Sequence, residues 1–295
     1  MKTILVLTDF SFGANNAAHY ALKLAQKIRA NLLLCNVFLL PSNEPLGGQV
    51  LWSTESYDTL AERSKNGLNK LAGHLKRQMN NDVAGGEFRP AIKQSSVSGV
   101  FTALLDEIVS SHEILITVVG THGTSGLSGF LQGNHVQNLI EKANCPVLIV
   151  PSRIVFNGYK KIVFATDMTG SDIDVLHSLS GFARYVNAEI LVTHVFENKT
   201  NAKESTKAEV FLKMISSKIN YPRIFYREIK SESVSTSIDW LSEHIDVDLL
   251  VVVHRKRNFF QILFEASVTQ KLADHLTKAM LVFPFTRGQH ALPVF

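Results

Sequence analysis

Apolar positions in this chain fall into two alternating arrangements. Short, almost unbroken apolar runs occupy residues 3–7, 31–39, 114–119 and 146–150. Between them, over about 14–30, 58–79, 100–111 and 136–143, apolar residues recur every three or four positions. The unbroken runs predict strands buried on both faces and the periodic stretches predict helices covering them, the arrangement of a parallel α/β sheet. A further strand is expected over 88–94. The segment PSNEPLGGQVLWSTESY after Leu40 is polar and punctuated, longer than the connections usual in α/β units, and its length suits a lid or an interface.

The pattern then begins again. KIVFATD, ending at Asp167, restates KTILVLTD, ending at Asp9, and the run 190–195 restates 32–37, so that 167 − 9 and 195 − 37 both give an offset of 158. Near the ends of the copies CPVLIVPS and KAMLVFPF align Pro151 with Pro284, an offset of 133, so the second copy is the shorter. The separations Val37 to Gly120 and Val195 to His254 are 83 and 59, which puts 24 extra residues of the first copy between its second and fourth strands. The chain is a tandem repeat. The expected fold class is α/β, two tandem doubly wound parallel-sheet domains over 1–152 and 158–286, followed by a C-terminal tail, 287–295.

Composition narrows the class without changing this picture. Hydrophobic residues make up 45% and charged residues 19% of 295, which describes a globular chain with ample core. The net charge of +4 is spread over both copies, with 12 basic against 11 acidic residues up to Ser152 and 18 against 15 beyond, so neither half reads as a nucleic-acid domain. No apolar stretch approaches membrane-spanning length, and the N-terminal apolar run meets Asp9 too soon for a signal segment. Cys35 and Cys145 form no C-x-x-C pair, which disfavours a zinc site or disulfide framework and suits reduced, cytoplasmic thiols.

Candidate chemistry lies in GTHGTSGLSGFLQGNHV, residues 120–136, which follows an apolar strand and precedes a helical pattern. Gly120, Gly123, Gly126, Gly129 and Gly133 tolerate close approach of a ligand, and the following helix start offers unpaired N–H groups and a positive dipole end. Together these suit an anion, a phosphate above all. The spacing is neither G-x-x-x-x-G-K-[ST] nor G-x-G-x-x-G, and no Lys or Arg lies between Gly120 and Glu141. In a doubly wound sheet the loops after the first and fourth strands meet at the switch point, so Asp9 and the glycine loop are expected to share one crevice. The plainer readings are a helix cap or turn for Asp9, a tight connection for the glycines, and solvent-facing His122 and His135.

Gly120, two residues, Gly123, nine residues, then Gly133-Asn134 resembles the nucleotide-binding loop of the universal stress proteins, and with ILVLTDFS and the order of elements the resemblance covers nearly the whole chain. It implies Rossmann-like domains that bind an adenine nucleotide, ATP or else ADP or AMP, with or without Mg²⁺. It assigns Thr8 and Asp9 to the nucleoside, Val37 to the base pocket, and Val119 to a position against the nucleoside. Gly120, Gly123, Gly133 and Asn134 fall on ribose and phosphates, with main chain from His135 and Val136; Asn134 departs from the commoner Ser or Thr. Because last strands pair between subunits in that family, the copies here are expected to pair as an intramolecular pseudodimer, with a homodimer of chains possible beyond it.

The second copy keeps Asp167, but its loop, HRKRNFFQILFEAS, has no glycine, and His254 and Arg257 stand at the first two glycine positions. That pocket reads as degenerate. The basic run reads as a solvated face rather than a phosphate grip, and Phe259, Phe260, Ile262 and Phe264 as packing residues. The resulting function is a nucleotide-responsive stress or regulatory binding protein. A slow ATPase or phosphotransferase and a ligand-free interaction scaffold stand as alternatives; the loop's lack of a positioned Lys, Arg or carboxylate pair disfavours the enzyme.

Overall fold

Among the described residues ten strands form one sheet, lying across it in the order 92–98, 31–38, 3–7, 114–120, 147–150, 279–284, 249–254, 161–165, 189–196 and 224–230. The computed structural model describes residues 2–38, 56–81, 88–99, 108, 112–121, 134–196, 202–230, 246–255, 278–284, 292–293 and 295. In the first repeat these are β1 Thr3–Leu7, α1 Phe12–Ile28, β2 Asn31–Phe38, α2 Tyr57–Asn81, β3 Ile92–Ser98, β4 Ile114–Gly120, α3 Asn134–Lys142 and β5 Val147–Val150. The second supplies β6 Lys161–Ala165, α4 Gly170–Val186, β7 Glu189–Phe196, α5 Ala202–Lys218, β8 Ile224–Lys230, β9 Leu249–His254 and β10 Ala279–Pro284.

Within each half every pairing is parallel, and the strand order reverses beside the first strand of the half, at β1/β4 and again at β6/β9. The expected α/β class and tandem doubly wound arrangement are what the chain adopts. The halves meet where β5 and β10 run antiparallel, with Leu281 opposite Leu148 and Met280 opposite Ile149. Joining the two apolar closing strands satisfies main-chain groups that would otherwise form exposed edges.

One strand lies later than its apolar pattern suggests. The expectation of 88–94 gives way to Ile92–Ser98, paired with Leu32 to Phe38. Pro90 lacks an N–H and cannot join the ladder, so pairing starts beyond it; Leu32 N–H reaches Ala91 O just ahead of the strand. The helix expected over 100–111, apart from the buried Ile108, and the segment 41–55 lie outside the described residues.

Helix α1 is nearly enclosed: its Ala14, Ala17, Ala18, Ala21, Leu22, Leu24, Ala25 and Ile28 are buried, and the small residues let it sit close to the sheet. Ser11 caps its start, and Arg29, in the left-handed region at φ 56°, ends it. Asn187 ends α4 at φ 55°, 158 residues later. Across the repeat boundary Tyr20 of α1 packs on Phe156 and Tyr159 of the linker, and Tyr159 on Phe182 of α4.

The Tyr20 hydroxyl donates to Tyr159 at 2.8 Å. Burial pushes both phenols above the usual tyrosine range, so the pair stays neutral. Tyr159→Phe is expected to lower stability by about 1–3 kcal/mol, because it strands the buried Tyr20 hydroxyl, whereas replacing both tyrosines with phenylalanine recovers most of that loss. Urea unfolding of the two variants and the parent measures both.

Candidate functional site

The first crevice starts at the carboxyl end of β1, where a four-residue turn is held from several sides. Thr8 N–H reaches Cys35 O at 2.9 Å, Asn36 Nδ2 donates to Thr8 O at 2.7 Å, and Thr8 Oγ1 accepts from Phe10 N at 3.0 Å. Phe10 has φ 64°, a left-handed conformation costing a bulky residue roughly 1–2 kcal/mol. Its ring packs on Gly67 of α2, where a Cβ would come within 2.8 Å of the ring edge, and its carbonyl accepts from Asn15 Nδ2 at 3.1 Å. Half-buried Asp9 accepts Ser11 N–H at Oδ1, 3.0 Å, so the carboxylate does act in the turn. That use engages Oδ1 and leaves a rigidly mounted acid at the mouth of the switch point.

The other wall is the exit of β4. Gly120 is buried, and a Cβ there would overlap the Gly13 carbonyl and lie 2.8 Å from Ala14 N. A Cβ on Gly13 would in turn overlap Thr121 O. The first turn of α1 and the end of β4 therefore touch main chain to main chain, so Gly120 serves helix packing before any ligand. Thr121 N–H bonds Val150 O at 3.0 Å, and the buried Thr121 Oγ1 has no hydrogen-bond partner among the described residues.

Of the residues singled out from sequence, Thr8, Asp9 and Gly120 come together here. Val37 and Val119 are buried in one apolar cluster with Leu5 and Leu7, on the face away from α1. Asn134, His135 and Val136 open α3, with Val136 packed partly on the same cluster. A helix start leaves its first N–H groups without intrahelical partners. Gly123, Gly126, Gly129, Gly133 and His122 lie outside the described residues.

The second crevice repeats the turn. Thr166 Oγ1 accepts Met168 N–H at 2.8 Å, Met168 has φ 57°, and His194 Nδ1 donates to Thr166 O at 2.9 Å, each 158 positions after its counterpart Thr8, Phe10 or Asn36. A matched polar residue inside two apolar strands, Asn36 and His194, is the signal by which the sequence could have exposed these turn supports. The walls differ. Arg255, the second residue of the basic run, is not on a solvated face: its side chain is 20% exposed and pairs with Asp167 at 3.2 Å and with the buried Asp172. Lys256, Arg257, Phe259, Phe260, Ile262 and Phe264 lie outside the described residues.

Other reactive groups lie away from both crevices or are muted. Cys35 and Cys145 are free and buried, and burial pushes their thiols to about 12 and about 11, far from thiolate chemistry at neutral pH. Desolvation lowers His254, against the attraction of Glu141. Among the described residues there is no group of three or more His, Cys, Asp or Glu arranged for a metal, and no helix long and apolar enough to cross a membrane.

The model of the universal stress protein family matches the chain twice, over residues 1–151 and 158–284. No curated protein sequence matches it. A universal stress protein from Archaeoglobus fulgidus DSM 4304 aligns over 96% of this chain and 98% of its own, at 14% identity and TM-score 0.61. A putative universal stress protein from Pseudomonas aeruginosa UCBPP-PA14 aligns over 96% and 92%, at 14% identity and TM-score 0.57. These likenesses are of fold. A universal stress protein in complex with cAMP aligns over 43% of this chain and 98% of its own, at 18% identity and TM-score 0.33.

Proposed function

The chain belongs to the universal stress protein family as a tandem of two such domains, and from that premise we propose that its first repeat binds one adenine nucleotide and acts as a nucleotide-responsive stress-regulatory protein. The domains extend over 1–152 and 158–286 with a tail at 287–295. They form an intramolecular pseudodimer through β5 and β10, in a cytoplasmic setting that suits two free thiols. A second chain can add to this as a homodimer.

The observation that carries the reading is the β1/β4 switch point, where Asp9 on its braced turn and the exit of β4 meet the capped start of α1. Ligands of open α/β sheets bind at such points. The buried Thr121 hydroxyl beside them, without a hydrogen-bond partner among the described residues, fits a ligand that brings its own hydrogen-bonding oxygen or N–H. In this reading Thr8 positions the turn, Asp9 accepts a ribose hydroxyl or base N–H, and Val37 and Val119 flank the nucleoside. Gly120, Gly123, Gly133, Asn134, His135 and Val136 supply ribose and phosphate contacts, mainly through main-chain N–H groups. ATP, ADP or AMP would occupy the site, and Mg²⁺ would accompany the phosphates through their own oxygens.

Mass spectrometry of small molecules released from the purified chain is expected to find an adenine nucleotide. Titration calorimetry is expected to show Asp9→Ala binding about tenfold or more weakly, the loss of one hydrogen bond to a charged group at roughly 1.5–3 kcal/mol. Its fold should persist, since turn and cap losses cost about 1 kcal/mol. A folded parent that neither releases nor binds adenine nucleotide would refute the assignment.

A further inference from the structure

In the second crevice the polarity is reversed. Asp167, Thr169, Ser171 and Asp172 gather four oxygen atoms at the start of α4, and the guanidinium of Arg255 sits among them. Arg255 Nη1 donates to Asp167 Oδ2 at 3.2 Å; Nη2 donates to Thr169 Oγ1 at 2.5 Å, to Ser171 Oγ at 3.4 Å and to Asp172 Oδ1. The Asp172 carboxylate is 1% exposed, and its other oxygen accepts from Thr166 Oγ1 at 2.7 Å and Thr169 N at 3.2 Å. A carboxylate this deep requires a partner, and a planar guanidinium is the side chain best shaped to serve several oxygens at once.

The offset of 158 maps Asp167, Thr169, Ser171 and Asp172 onto Asp9, Ser11, Gly13 and Ala14. Where the first repeat has Gly13 and Ala14, small enough for β4 to touch the helix main chain, the second carries two polar side chains. Arg255 follows His254 as Thr121 follows Gly120, and it spans from β9 to the β6 turn across the opening of the crevice. Its presence there is coupled to the buried carboxylate of Asp172, with the more exposed Asp167 pairing with the same guanidinium.

We propose that the second crevice is a guanidinium-binding cage made of Asp167, Thr169, Ser171 and Asp172, with Arg255 as its resident ligand. Filled in this way, and lined by two carboxylates, the cage repels a phosphate-bearing molecule. It binds cations of guanidinium shape when Arg255 is withdrawn. The proposal concerns a different crevice from the one assigned to nucleotide and holds whether or not that assignment does.

The test is Arg255→Ala in the full chain, followed by thermal melting with low-millimolar guanidinium chloride and with sodium chloride at equal ionic strength. The variant is expected to melt several degrees below the parent, and guanidinium, but not sodium, to raise it while leaving the parent unmoved. Arg255→Ala combined with Asp172→Ala, which restores the residue type of Ala14, is expected to regain most of the melting temperature and to ignore guanidinium. Absence of a guanidinium-specific rise in Arg255→Ala overturns the cage, whatever its melting temperature. Should the single variant be recovered unfolded, the double variant must be recovered folded; an unfolded double variant overturns the proposal too.

Discussion

Gly120→Ala is expected to cost about 3 kcal/mol of unfolding free energy and Gly120→Val to leave the first repeat unfolded. The added Cβ falls on main-chain atoms of Gly13 and Ala14, not on the tip of a flexible side chain that could swing away. Helix α1 cannot retreat cheaply. Its start is capped by Ser11, Asn16 Nδ2 holds Pro151 O at 3.1 Å and Ile154 O at 2.9 Å, and Tyr20 is bonded into the repeat boundary. Overpacking a well-filled site costs typically about 1–3 kcal/mol, and rigid backbone on both sides puts this site at the top of that range. Against a total stability of roughly 5–15 kcal/mol, valine at the same place exceeds what the domain can absorb. Gly73 in α2 is the internal contrast: a Cβ there meets nothing within 4 Å, so Gly73→Ala should stabilise by about 0.5–1 kcal/mol through helix propensity alone. Urea midpoints followed by circular dichroism compare the three. A Gly120→Ala midpoint equal to the parent's would mean that α1 and β4 do not touch as described.

The second large effect is expected in binding. One adenine nucleotide per chain, and its near-complete loss in Gly123→Val, follow if the first glycine loop presents several N–H donors to phosphate. Two such charge-assisted bonds, each about 1.5–3 kcal/mol, correspond to a weakening of roughly 100-fold or more. The contact described between α1 and β4 is made by Gly120, Gly13 and Ala14, so Gly123→Val is expected to leave the unfolding free energy within about 0.5 kcal/mol of the parent. Calorimetry reads stoichiometry and affinity together. Two nucleotides per chain, or parental affinity in Gly123→Val, would place the nucleotide elsewhere. Comparing Gly120→Ala with Gly123→Val separates a glycine needed by the fold from one needed by a ligand, although the two stand three residues apart in the same motif.

Much of this protein could be read from its residues alone. Unbroken apolar runs alternating with three-to-four periodicity determined a doubly wound α/β unit, and the return of KTILVLTD as KIVFATD determined that the unit occurs twice in the chain. Together these located both switch points and so set Asp9 and Gly120 at one crevice. Periodicity succeeds here because it reports which way a residue faces, core or solvent, and strands buried on both faces leave little choice of register. It cannot report which distant segment that face meets. That Gly120 lies against Gly13, 107 residues earlier by 120 − 13, was decided by the close approach of α1 to β4, and that Phe10 tolerates a positive φ by the ring's seat on Gly67 of α2. Arg255 is the clearest case. A basic run has every local reason to face water, and only the tertiary fold placed a buried carboxylate, Asp172, within reach of its long, flexible side chain. The cost of leaving that carboxylate unpaired then outweighs the hydration of the guanidinium and turns the arginine inward.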